Sequence, residues 1–139
     1  MTDVLSGRRV LIVEDESLVA MLLETILSDM GCAVVGPESN VGDGLRVVAS
    51  EIDLDAALLR SATDEADLDA ALLDVNVAGQ EVFPIAEALK ARGVPFVFST
   101  GYGESGLPEQ WRGNPTVQKP FTDGAIRDAL MAALNMSMA

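Results

Sequence analysis

The stretch RVLIVEDESLVAMLLETILSDMGCAVVG, residues 9–36, decides the fold. Its first five residues, Arg9–Val13, are apolar after the arginine and rich in β-branched side chains, which reads as a strand buried on both faces. Residues 16–30 then repeat Val19, Leu22, Leu23, Ile26 and Leu27 at helical spacing, and Gly31 supplies a left-handed stop. CAVVG, residues 32–36, is a second short strand ended by Pro37. Strand, helix and strand in succession make a crossover unit, and such units build a parallel sheet.

The rest of the chain continues the alternation. Residues 41–50 form a weaker second helix, and residues 70–73 run into Asp74 as a third strand. A helix over 81–92 carries Pro84 in its first turn, where a missing N–H costs least, and Gly93 closes it. VPFVFS, residues 94–99, is a fourth strand. Residues 101–114 hold four glycines and Pro108, so a helix there is expected to be short and loosely held. Residues 116–118 form a brief fifth strand, and residues 125–134 place Ile126, Ala129, Leu130, Ala133 and Leu134 on one helical stripe. The expectation is a single α/β domain spanning residues 1–139, a parallel sheet with helices on both faces.

Composition narrows the function. Of 139 residues, 22 are acidic and 9 basic, a net charge of −13, which opposes a surface for phosphate backbones, so no nucleic-acid partner is expected. No apolar run approaches the ~18–20 residues of a membrane span, and the first residues lack a secretory pattern, so a cytoplasmic protein is expected. Cys32 is the only cysteine, which excludes an internal disulfide. There is no histidine, which excludes a phosphohistidine carrier, a histidine-dependent nucleophile and His-rich zinc sites within the chain. Carboxylates, hydroxyls, lysine and metal remain.

Chemistry in an open parallel sheet gathers at the carboxyl ends of its strands. Strand one ends on Glu14 and Asp15, strand three on Asp74, strand four on Thr100 and strand five on Lys119. Three carboxylates brought together raise one another's pKa unless a cation joins them. Oxygen ligands with open positions favour a hard ion, and Mg²⁺ keeps several waters and awaits phosphate oxygens. With Glu14, Asp15, Asp74 and Lys119, Mg²⁺ brings the formal charge to zero, and a phosphoryl donor can approach.

IVEDE (12–16), LLDVN (72–76), FSTG (98–101) and QKPF (118–121) together resemble the receiver domain of two-component response regulators, in order and over nearly the whole chain. The resemblance implies a doubly wound, flavodoxin-like sheet of order 2-1-3-4-5. It implies that Asp74 is the phosphoacceptor, Asp15 a direct Mg²⁺ ligand and Glu14 a ligand through water, with the backbone carbonyl of Asn76 completing the protein's share. It further implies that Lys119 pairs with a phosphoryl oxygen before a cis Pro120, and that Thr100 is the switch hydroxyl. Two positions depart from the family. Thr116 stands where an aromatic switch residue is usual, leaving Tyr102 as a substitute or as a residue packed over the site. Gly101 resembles the stand-alone Phe-Ala-Thr-Gly-x-Tyr subgroup, but Ser99 and Gly103 do not fit it.

The implied partners are a sensor histidine kinase or histidine phosphotransfer protein, which supplies the histidine, and a downstream protein. With no output module after residue 139, the output is expected to be protein–protein contact or phosphate disposal by a switch rather than a turnover enzyme. Two other readings stay open: a Mg²⁺-dependent phosphohydrolase, whose first strand would carry Asp-x-Asp where this chain has Glu14-Asp15-Glu16, and a degenerate receiver that only binds partners. One feature lies outside the resemblance. DLDAALL occurs at 53–59 and again at 67–73, and only the second copy runs into Asp74. The second copy is therefore expected to be strand three, and residues 53–66 an insert after helix two. Its Leu54, Leu58 and Leu59 offer either a tolerated surface excursion or a contact surface for a homodimer or a partner.

Overall fold

The computed structural model describes residues 5–50 and 68–138. Five parallel strands form the sheet: β1 (Arg9–Val13), β2 (Ala33–Glu38), β3 (Ala70–Asp74), β4 (Phe96–Thr100) and β5 (Thr116–Gln118). Their order is β2-β1-β3-β4-β5, the doubly wound arrangement. Helices α1 (Ser17–Asp29), α2 (Val41–Ser50), α3 (Phe83–Ala91) and α4 (Asp123–Met138) cover it.

The absence of alternation in β1 has its cause here. Val10 and Ile12 enter a core with Leu23, Ile26, Leu27, Ile126 and Leu130, the buried faces of α1 and α4. Leu11 and Val13 enter the opposite core with Val48, Ile85, Leu89, Phe98 and Trp111, beneath α2 and α3. At ~1.5–3 kcal/mol for each fully buried large aliphatic side chain, these two layers dominate the stability of the domain. Gly31 and Gly93, both at positive φ, stop α1 and α3 as their sequence positions predict.

The differences from expectation are local. β2 continues through Pro37 to Glu38, because an edge strand tolerates a residue without an N–H; its register against β1 shifts between Leu11 and Val13. Residues 80–81 do not begin α3. They pair with residues 76–77 in a two-stranded hairpin turned by Ala78 and Gly79, both at positive φ. α3 therefore starts at Phe83, with Pro84 still in its first turn. The glycine-rich segment contains only 3₁₀ turns, Gly103–Gly106 and Glu109–Trp111. α4 starts at Asp123, ahead of the expected residue 125, because Thr122 caps it, its Oγ1 accepting the Ala125 N–H at 3.1 Å.

Residues 70–73 of the second copy of the heptapeptide belong to β3, which pairs with β1 on one side and β4 on the other. The first copy lies outside the described residues. Among the described residues no helix is long and apolar enough to cross a membrane.

Candidate functional site

The ends of four strands converge at the carboxyl edge. Glu14 follows β1, Asp74 ends β3, Thr100 ends β4 and Lys119 follows β5. Sheet pairing sets their spacing: Asp74 lies beside Ser99 across the β3–β4 ladder, and Thr100 beside Gln118 across β4–β5. The Lys119 N–H donates to the Thr100 carbonyl at 2.9 Å, and Lys119–Pro120 is cis.

Glu14, Asp15 and Asp74 each present a carboxylate oxygen within 4.8 Å of the others. Glu14 and Asp74 are buried, whereas Asp15 is exposed at the rim. The Lys119 ammonium lies 3.0 Å from Glu14 Oε1 and 3.4 Å from Asp74 Oδ2. Glu14 Oε2 accepts the Glu16 N–H at 3.1 Å, which fixes the carboxylate at the entry to α1. The Asn76 N–H points to Asp74 Oδ1 at 3.4 Å, and the Asn76 side-chain oxygen accepts the Gly79 N–H at 3.1 Å. The unexpected hairpin thus holds the residues that follow Asp74.

One lysine does not balance three carboxylates. Burial, then the neighbouring Glu14 carboxylate, push the Asp74 pKa from 3.8 up to about 7, against the opposing pull of Lys119. Burial alone would lower the Lys119 pKa, but its hydrogen bond to Glu14 and the charges of Asp74 and Glu14 outweigh that and raise it. The cluster therefore carries an excess of negative charge that a cation would neutralise. Its donors are all oxygens, and Asp15 leaves one side open to solvent, so the residues fit a hard divalent ion.

Glu14, Asp15, Asp74, Asn76, Thr100 and Lys119, the residues expected to form the phosphoryl site, all lie at this edge. Lys119 engages Glu14 as well as Asp74, the former a contact between β1 and β5 ends that no local pattern encodes. Thr100 is buried, and its Oγ1 accepts the Tyr102 N–H at 3.1 Å. Tyr102 itself is 78% exposed, so its ring is not packed over the site. Thr116 Oγ1 donates to the Asn114 carbonyl at 3.0 Å, away from any aromatic role. Two neighbours were not among the expected site residues. Ser99 is buried on the strand beside Asp74. Gly106 leaves no room for a side chain, since a Cβ there would lie 2.9 Å from Thr100 Oγ1.

A doubly wound sheet whose carboxyl edge joins an acidic triad, a lysine and a hydroxyl is the arrangement that the resemblance to receivers implies. SdrG from Sphingomonas melonis Fr1 is 38% identical over 92% of this chain and 97% of its own, with a TM-score of 0.70, and its BeF3-activated conformation superposes at 0.67. The receiver domain of the PhyR response regulator from Erythrobacter litoralis is 26% identical over 96% of this chain and 94% of its own, with a TM-score of 0.72. The receiver domain of the sensor histidine kinase PA1611 from Pseudomonas aeruginosa PAO1, solved with a magnesium ion in its active-site cleft, is 22% identical over 94% and 99% of the two chains, with a TM-score of 0.65. No protein-family model and no curated protein matches the chain. The chain belongs to the response-regulator receiver family of two-component signalling.

Proposed function

We propose that the chain is a phosphorylation switch that takes a phosphoryl group from the phosphohistidine of a sensor kinase or phosphotransfer protein onto Asp74. The observation that carries this reading is the 4.8 Å cluster of Glu14, Asp15 and Asp74 with Lys119 against it. An Asp74 oxygen attacks phosphorus as the P–N bond breaks, giving an acyl phosphate, and the leaving imidazole takes a proton. Lys119 pairs with a phosphoryl oxygen once Asp74 is modified, a role its position 3.4 Å from Asp74 Oδ2 supports. Thr100, released from the Tyr102 N–H, supplies a hydroxyl to another, which draws the segment after β4 inward.

The magnesium-bound PA1611 receiver supports Mg²⁺ as the cofactor. Asp15, Asp74 and the Asn76 carbonyl would hold it, with Glu14 acting through water. When bound, Mg²⁺ neutralises charge on the phosphoryl oxygens and on the acidic cluster. Output is protein–protein contact by a cytoplasmic domain of residues 1–139, with residues 53–66 as an insert. The complete set of site residues favours an active switch over a degenerate receiver, and Glu14-Asp15-Glu16 after β1 disfavours the phosphohydrolase reading. Borohydride trapping after phosphotransfer tests the assignment: reduction should convert residue 74 to homoserine, and homoserine at another position, or none, overturns it.

A further inference from the structure

Side chains of successive strand residues point to opposite faces of a sheet. Val97 packs into the core beneath α1 and α4 and Phe98 into the one beneath α2 and α3, so Ser99 turns to the α1 and α4 face. By the same alternation Asp74 follows Leu72, and Glu14 follows Ile12, onto that face. The ladders align them: Val13 pairs with Leu73 and Asp74 with Ser99, which puts Glu14, Asp74 and Ser99 in one row across the sheet. Lys119 follows β5 and reaches Glu14 after β1, so its side chain crosses the ends of β4 and β3, over Ser99 and Asp74.

Ser99 is 2% exposed, and its hydroxyl has no hydrogen-bond partner among the described residues. A buried hydroxyl left unpaired is costly and uncommon. Its neighbour in the row is loosely held: Lys119 and the Asn76 N–H both stand 3.4 Å from Asp74 oxygens. Adjacent strands lie ~4.8 Å apart, a gap that a serine Oγ and a carboxylate oxygen leaning towards each other close to hydrogen-bond distance.

We propose that Ser99 is a positioning residue of the phosphoryl switch, its hydroxyl donating to the Asp74 oxygen not bonded to phosphorus once Lys119 turns to the phosphoryl group. The inference rests on Asp74 being the phosphoacceptor. A carboxylate oxygen has two lone pairs, so the bond is compatible with a metal on the same oxygen. The hydroxyl is then unpaired in the resting protein and paired in the modified one, and it favours the modified state by the difference. Beryllofluoride, whose adduct with Asp74 stands for the acyl phosphate, is titrated into the full chain with Mg²⁺ and excess fluoride and followed by the ¹⁹F resonances of the bound fluorines. Urea denaturation in EDTA reads the resting protein. Ser99→Ala should weaken beryllofluoride binding about tenfold, the scale of one hydrogen bond to a charged acceptor. Its urea midpoint should be no lower than that of wild type, because the substitution removes an unpaired buried hydroxyl. Ser99→Cys, similar in size but a weaker donor, should lose affinity as well. A hydroxyl with a purely structural partner gives the opposite pattern, a lower midpoint with unchanged affinity. Wild-type affinity in either variant, or a lower midpoint for Ser99→Ala, overturns the proposal. Failure of wild type to bind beryllofluoride overturns the phosphoacceptor reading and this inference with it.

Discussion

Asp74→Asn in metal-free protein should stabilise the fold, and more so as pH rises. Burial and the Glu14 charge lift the Asp74 pKa from 3.8 to about 7. The folded protein then keeps a proton that the unfolded chain has released. Because the unfolded state binds fewer protons between the two values, stability falls as pH rises from 3.8 and levels off above about 7. At ~1.4 kcal/mol for each tenfold change in proton affinity, the full loss is on the order of 4 kcal/mol. Solvent at the open rim reduces it, so about 2–4 kcal/mol is expected. Asparagine cannot ionise and escapes this loss. Lys119, whose pKa is raised above 10.5, contributes its own pH dependence only in alkaline solution. Urea denaturation in EDTA from about pH 5 to about pH 8 measures the difference: the variant should gain on wild type across the window, and Mg²⁺ should reverse the order by binding the folded wild type. Parallel stability curves in EDTA, or a wild type more stable than the variant at the alkaline end, would refute the reasoning.

Lys119→Ala should destabilise the protein by about 3 kcal/mol in EDTA, because buried Glu14 loses its countercharge, and denaturation midpoints measure this. Thr100→Ala should leave Asp74 modifiable but shrink the amide-shift response to beryllofluoride over residues 101–114; an unchanged response removes Thr100 from the switch. Gly106→Ala should displace the Thr100 hydroxyl and alter the lifetime of the acyl phosphate, measured by loss of label, while unfolding shifts by no more than about 1–3 kcal/mol. Deleting residues 53–66 should preserve folding and Asp74 phosphorylation and change self-association at most, read by sedimentation; a folded deletion variant that no longer takes up phosphate places the insert in the active site.

Legibility in the sequence followed the range of the forces involved. The bounds of β1 were readable because its apolar run meets the carboxylates of Glu14 and Asp15 sharply at its end. The carboxyl edge was readable because strand ends project their next residues there in any parallel sheet. The hairpin at 76–81 was not, since its turn places Ala78 at φ 52°, a conformation alanine does not advertise. The segment after β4 read as loose from its glycines. It is anchored instead by Trp111, which stacks on Phe83 at 5.7 Å and meets Phe98 edge-on at 5.8 Å, partners far apart in sequence. The Lys119–Glu14 contact and the Gly106 approach to Thr100 are likewise tertiary, and one lysine or one glycine in a glycine-rich loop carries no mark of either.

The central claim is that Asp74 is the phosphoacceptor of a Mg²⁺-dependent site. Intact-mass measurement after incubation with acetyl phosphate tests it most directly. Wild type with Mg²⁺ should gain the mass of one phosphoryl group, and neither wild type in EDTA nor Asp74→Asn with Mg²⁺ should gain any. Equal uptake by Asp74→Asn, or uptake by wild type that ignores EDTA, contradicts the account.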